Sequence, residues 1–221
     1  MPVPLNATVE IARTWLTKRL GYFVDDSIPV RPSKLSVEAT TPMDIDLVCT
    51  HPRKECVPVS FGNISYTLPK HLLVECKGWF DYSAASHDII LGLSRDLALM
   101  GSRRFIPKTA SKRKDKLYFT FLKEEVYEKG NDLFGVDDFV RVIICPDLKP
   151  SVKPRNQPAI EREVLLDQAK EKGILVFQLS PVVKDLVDFC RAAENKDYLR
   201  KNFVLELLHL LEVLRQLHRI S

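Results

Sequence analysis

Near the N-terminus the chain carries a helical period. Val9, Ala12, Leu16 and Leu20 recur on one face with Ile11 and Trp15 beside them, so the spacing predicts a helix to about Arg19, capped by Asn6 or Thr8. Gly21 stops it. Tyr22–Val24 and Ile28–Val30 then predict a first strand, interrupted by Asp25 and Asp26. Residues 31–42, with two prolines and many Ser and Thr, read as loop. In the next run, MDIDLVCT, the alternation is clean: Met43, Ile45, Leu47 and Cys49 fall on one face, Asp44, Asp46 and Val48 on the other. Residues 51–70 hold three prolines and predict a loop or an additional hairpin. HLLVECK is a second alternating strand, with Leu72, Val74 and Cys76 opposite Leu73, Glu75 and Lys77.

Beyond Gly78 the period lengthens again. Ser83 or Ser86 starts a helix through Met100, whose apolar face is Ile89, Ile90, Leu93, Leu97 and Met100. Phe139–Cys145 predicts a buried strand ended by Pro146, and residues 147–158 a proline-rich loop. A charged helix (159–172), a strand (174–179) and a helix (182–193) follow. A closing helix from about Asp197 to Ile220 carries Phe203, Leu207, Leu210, Leu214 and Leu217 on one stripe, which suits a core face or a homodimer interface. Strands separated by helices predict one α/β domain over residues 1–221, with a core at about 6–190 and a C-terminal helical extension at about 191–221.

Composition narrows the class. Apolar residues at 45% and charged residues at 28% of the 221 positions are globular usage and exclude a disordered chain. Five cysteines without a C-x-x-C exclude a zinc ribbon or a redox dithiol. No signal-peptide pattern opens the chain, and no apolar run reaches the roughly 18 residues of a membrane span. The expectation is an intracellular protein that spans no membrane. A net charge of +4 permits a polyanionic partner without requiring one.

Candidate chemistry sits on the two alternating strands. If they are neighbours, Asp46, Glu75 and Lys77 converge on one face of the sheet. Two carboxylates suit a hard divalent cation such as Mg²⁺ or Mn²⁺, and an ammonium beside them can hold a water and stabilise charge on a phosphate. Without a cation the carboxylates repel, so raised acid pKa values are expected from that repulsion. Asp44 shares the face of Asp46 and competes with it as a ligand.

With Asp46-Leu47-Val48 on one strand and Val74-Glu75-Cys76-Lys77 on the next, the chain resembles the PD-(D/E)XK nuclease superfamily. Glu10 on the first helix and Gly21-Tyr22 after it extend the likeness to Holliday-junction-resolvase-like and Mrr-like endonucleases over about residues 6–100. The resemblance implies a restriction-endonuclease-like fold, a mixed central sheet flanked by helices, and a Mg²⁺- or Mn²⁺-dependent DNA endonuclease. It implies Asp46, Glu75 and the backbone carbonyl of Cys76 as metal ligands, Lys77 as the residue that positions the attacking water, and Glu10 as support for the metal or its waters. No proline stands directly before Asp46, and the gap from Asp46 to Glu75 is longer than in compact resolvases. Two other acid-x-Lys triplets, Asp147-Leu-Lys149 and Glu194-Asn-Lys196, lack an upstream acidic strand or lie between helices. Buried thiols are expected at Cys49 and Cys76, on the apolar faces of the motif strands.

Residues 101–116 carry Arg103, Arg104, Lys108, Lys112, Arg113, Lys114 and Lys116 against a single acid, and they read either as a solvated loop or as a phosphate-tracking segment. Two other functions fit the same residues: a non-catalytic nucleic-acid-binding or assembly module, and an RNA endonuclease.

Overall fold

The computed structural model describes residues 7–30, 43–62, 64–77, 124–135, 138–145, 148, 162–192, 202, 204 and 206–207. The predicted helix at 83–100, the basic segment at 101–116 and most of the closing helix lie outside these residues.

Helix α1 (Ala7–Thr14) runs directly into a π-helical turn (Trp15–Arg19). The wider turn is sealed by the bond from Leu20 N–H to the Trp15 carbonyl (3.0 Å) and turns Trp15 and Leu16 inward together, both fully buried. Trp15 stacks on Phe61 and meets Phe177 edge-on, and its indole N–H donates to Asp185 at 2.9 Å. Gly21, at φ +82°, makes the reversal into β1 (Phe23–Val30) that a side chain would strain.

The sequence predicts a first strand broken at Asp25 and Asp26; the structure has one unbroken strand. β1 is the sheet edge, where acids reach water or a partner, and Asp26 meets Arg13 of α1 at 2.7 Å. β2 (Met43–Thr50) pairs antiparallel with β1. Residues 51–70 resolve into the hairpin β3 (Cys56–Phe61) and β4 (Ile64–Pro69), a separate two-stranded sheet. β5 (His71–Cys76) then enters the main sheet antiparallel to β2, while β6 (Val140–Cys145) and β7 (Ile174–Gln178) follow β5 in parallel. The order β1-β2-β5-β6-β7 makes a mixed sheet, flanked by helices.

One face of that sheet carries Leu47, Cys49, Leu72, Val74, Cys76, Val142, Ile144 and Phe177 under α1, the hairpin and α4 (Leu179–Arg191). The other face is buried as well: Val48, Leu73, Glu75, Arg141, Ile143 and Cys145 are each at most 6% exposed. The alternation of β5 therefore separates two buried faces, not a core face from a wet one, which is why its flanks read LLV and not apolar–polar. Helix α3 (Arg162–Glu171) connects β6 to β7 and buries Leu165 and Ala169. Among the described residues no helix is long and apolar enough to cross a membrane.

Helix α2 (Glu124–Phe134) has no counterpart in the sequence reading. Its apolar face is short, Val126 and Tyr127, and Gly130 completes it with bare backbone against the Phe139 ring. A Cβ at Gly130 would stand 2.3 Å from Phe139 Cζ. Gly130→Ala is thus expected to cost about 1–3 kcal/mol of overpacking, more than the roughly 1 kcal/mol of helix propensity it gains. Urea denaturation checks this, and a midpoint at or above wild type would contradict the packing of α2 on Phe139. Of the closing helix, a bond from Glu206 N–H to the Asn202 carbonyl (3.0 Å) marks one helical turn.

Candidate active site

Leu47 stands opposite Val74 and Val48 opposite Leu73, so the register carried one residue further sets Asp46 across from Glu75. Both side chains belong to the face of Val48 and Leu73. The ladder ends at Leu47–Val74, and the bond from His51 N–H to the Lys70 carbonyl (2.8 Å) fixes which rungs are bonded. By that alternation the Cys76 N–H points at β2, where the next acceptor in a continued ladder would be the Ile45 carbonyl. It donates to Asp46 Oδ2 at 2.7 Å. A side chain has replaced the backbone at the rung where the two strands part. Extended backbone turns N–H and C=O to the same side, so the Cys76 carbonyl also faces β2. On the other edge of β5, Lys77 N–H donates to the Ile144 carbonyl at 2.8 Å and ties the end of the strand to β6.

Lys77 Nζ pairs with Glu75 Oε1. The two lie two residues apart on one strand, hence on one face, and the ammonium folds back along the strand to reach the carboxylate. The Glu75 carboxyl is pushed up to about 7, chiefly by burial; the Asp46 carboxylate adds to the rise, and the Lys77 charge and hydrogen bond hold it back. Burial also raises Asp46, against the Cys76 N–H and Lys77, with exposed Asp44 adding to the rise. Both acids are raised as the sequence predicts, but the leading cause differs. Desolvation on a doubly covered sheet comes first, and repulsion between the carboxylates is secondary.

Asp46, Glu75, Cys76 and Lys77 are therefore brought together. Glu10 is not seen with them: among the described residues its carboxylate meets Arg13 at 3.6 Å, in a network that runs on to Asp26. The Cys76 thiol lies on the opposite face, in the core, and burial holds it protonated, so only the carbonyl of that residue is offered to the site. Cys49 is buried on that same face. Arg103, Arg104, Lys108, Lys112, Arg113, Lys114 and Lys116 lie outside the described residues, as do Trp79, Tyr82 and His87 beside the motif.

No group of three or more His, Cys, Asp or Glu side chains suited to a metal occurs among the described residues. What is present, two carboxylates at neighbouring register positions with the Cys76 carbonyl on the β2 side of the strand, suits a hard cation that keeps several waters, since Mg²⁺ takes one or two carboxylates and not an all-protein cage. The donor set fits such an ion.

Arg141 is the charged residue on this face that the sequence reading missed. It stands opposite Leu73, 2% exposed, with its guanidinium 5.6 Å from the centre of the Tyr127 ring and donating to the Lys172 carbonyl at 3.4 Å. The available signal was a lone arginine at an alternate position of the apolar run FVRVIIC. His51, also buried, accepts the Arg53 and Lys54 N–H groups at Nδ1 and holds the turn after β2, with no part in the acidic pair. Set against known proteins, the chain matches no family model, no curated protein and no solved structure.

Proposed function

We propose that this protein hydrolyses phosphodiester bonds with a divalent cation, as an endonuclease acting on DNA, on a restriction-endonuclease-like sheet. The observation that carries the reading is the β2–β5 register, which carried one residue past its last rung sets Asp46 across from Glu75, with Asp46 accepting the Cys76 N–H and Lys77 in contact with Glu75. Asp46, Glu75 and the Cys76 carbonyl would hold Mg²⁺ or Mn²⁺; when bound, the ion supplies positive charge for the phosphate oxygens and a lowered pKa for water. The chain's own residues do the remainder. Lys77, anchored through its backbone to β6, holds the attacking water by its ammonium and offsets the negative charge that gathers on the phosphorus oxygens. Asp46 keeps the end of β5 against β2 through the Cys76 N–H, which fixes Glu75 and Lys77 in register with it. Glu10 meets Arg13, which pairs with Asp26, and the reading does not depend on it.

Incubation with linear, nicked, branched and single-stranded DNA and with RNA, in Mg²⁺ or Mn²⁺ against EDTA, tests the reading. We expect cation-dependent cleavage of DNA and a loss of about 10²-fold or more in Lys77→Ala, the scale of a charge-stabilising group removed from a transition state. Equal rates in Lys77→Ala and wild type would refute it. Duplex binding in EDTA without any cleavage would favour the binding-module function, and cleavage confined to RNA the RNA endonuclease.

A further inference from the structure

The contact between Lys77 and Glu75 has a consequence for how the site is loaded. Lys77 Nζ rests on Glu75 Oε1, an oxygen of one of the two carboxylates that a cation would share. Glu75 is 5% exposed, so little water is present to screen an ammonium from an incoming ion. Like charges at such range repel strongly in a partly desolvated site. The Lys77 backbone is pinned by its N–H to the Ile144 carbonyl, which leaves the side chain as the part free to move.

Resting on the metal-dependent function proposed above, we infer that Lys77 is a built-in competitor for the cation: it occupies Glu75 in the metal-free protein and is displaced from it when the ion binds. The exchange couples loading to activation. Before the ion arrives the ammonium is engaged by Glu75 and unavailable to a phosphate; afterwards it is released beside the site, on the same strand face. Coupling of this kind is reciprocal, so whatever removes the ammonium must tighten the ion.

Mn²⁺ titration calorimetry on the full chain at pH 8, with wild type, Lys77→Met and Lys77→Arg, reads the coupling directly. Lys77→Met is expected to bind Mn²⁺ about tenfold more tightly than wild type, within the 5–150-fold span of coupled sites. Lys77→Arg, which retains the competing charge, is expected to stay near wild type. The second readout is the ammonium resonance of Lys77 in ¹⁵N-lysine-labelled wild type, expected to shift on adding Mg²⁺ with the same midpoint as binding. Equal or weaker Mn²⁺ binding by a folded Lys77→Met, while wild type binds one ion, would overturn the inference. If that variant does not fold, an unmoved Lys77 resonance at saturating Mg²⁺ overturns it instead. A wild type that binds no ion, or binds it as well after Asp46→Asn, removes the metal-dependent function itself and this inference with it.

Discussion

Glu75→Gln should make the metal-free protein more stable at pH 8, by about 2 kcal/mol, while removing its activity. The Glu75 carboxyl is raised from 4.5 to about 7 in the folded chain, mainly by burial. A folded pKa above the unfolded one means that the native state holds this proton more tightly than the unfolded chain does. Below about pH 4.5 both states are protonated and the group costs nothing. Between 4.5 and 7 the unfolded chain releases a proton that the native state keeps, so stability falls as pH rises, and above 7 the full cost of about 3 kcal/mol is present. Gln removes the buried charge and keeps an acceptor for the Lys77 ammonium; the pull of Lys77 is already contained in the value of about 7, and it is the amide NH₂, buried where a carboxylate oxygen stood, that trims the gain to about 2 kcal/mol. For a chain of this size that is a rise of roughly 4–8 °C in Tm. Urea unfolding from pH 4 to pH 9 in EDTA should show the wild type falling away from a flatter Glu75→Gln line and the two converging near pH 4. Parallel lines would mean that burial does not raise Glu75. Since a divalent cation at Glu75 favours the carboxylate more than the ammonium it displaces, saturating Mg²⁺ should flatten the wild-type slope.

How far the sequence speaks for this fold depends on the residue. Asp46 and Glu75 were legible because a strand alternates with period two, which sets Asp46 opposite Leu47 and Cys49 in MDIDLVC and Glu75 opposite Val74 and Cys76 in LLVECK. Their adjacency was not a matter of period; it rests on β2 and β5 closing around a hairpin, one of the two forms, loop or hairpin, that residues 51–70 with their three prolines left open. Pro58 and Pro69 fit because the hairpin is a two-stranded sheet whose edges do not need every N–H. Helix α2 was illegible for a different reason: Gly130 replaces an apolar side chain with backbone contact, so the helical stripe has a gap where the packing is tightest. The burial of the Glu75 face was likewise hidden, because Arg141 looks like a solvent position until the Tyr127 ring of α2 comes over its guanidinium. Glu10 has a second partner that its sequence position does not show. Its position before the first strand suggests a site acid, but Arg13, one turn later and beside Asp26, holds it.

Asp46→Asn should remove catalysis and leave the fold in place. The carboxylate does two separable things: one oxygen accepts the Cys76 N–H at 2.7 Å, and the charge serves the cation. Asn keeps a carbonyl oxygen for the N–H, so the end of β5 stays against β2; Ala leaves that N–H without its partner and should lose a further 1–3 kcal/mol or so of stability. Loss of a charged ligand removes several kcal/mol of charge stabilisation from the transition state, which is a fall in rate of about 10³-fold or more. The most direct measurement is therefore the single-turnover cleavage rate of plasmid and branched DNA in Mg²⁺ or Mn²⁺ by wild type and Asp46→Asn, with unfolding curves run on the same samples. The predicted result is cation-dependent cleavage by wild type, abolished by EDTA, and a fall of about 10³-fold or more in Asp46→Asn at an unfolding midpoint close to wild type. Cleavage by a folded Asp46→Asn at the wild-type rate, or none by wild type in any divalent cation, would contradict it.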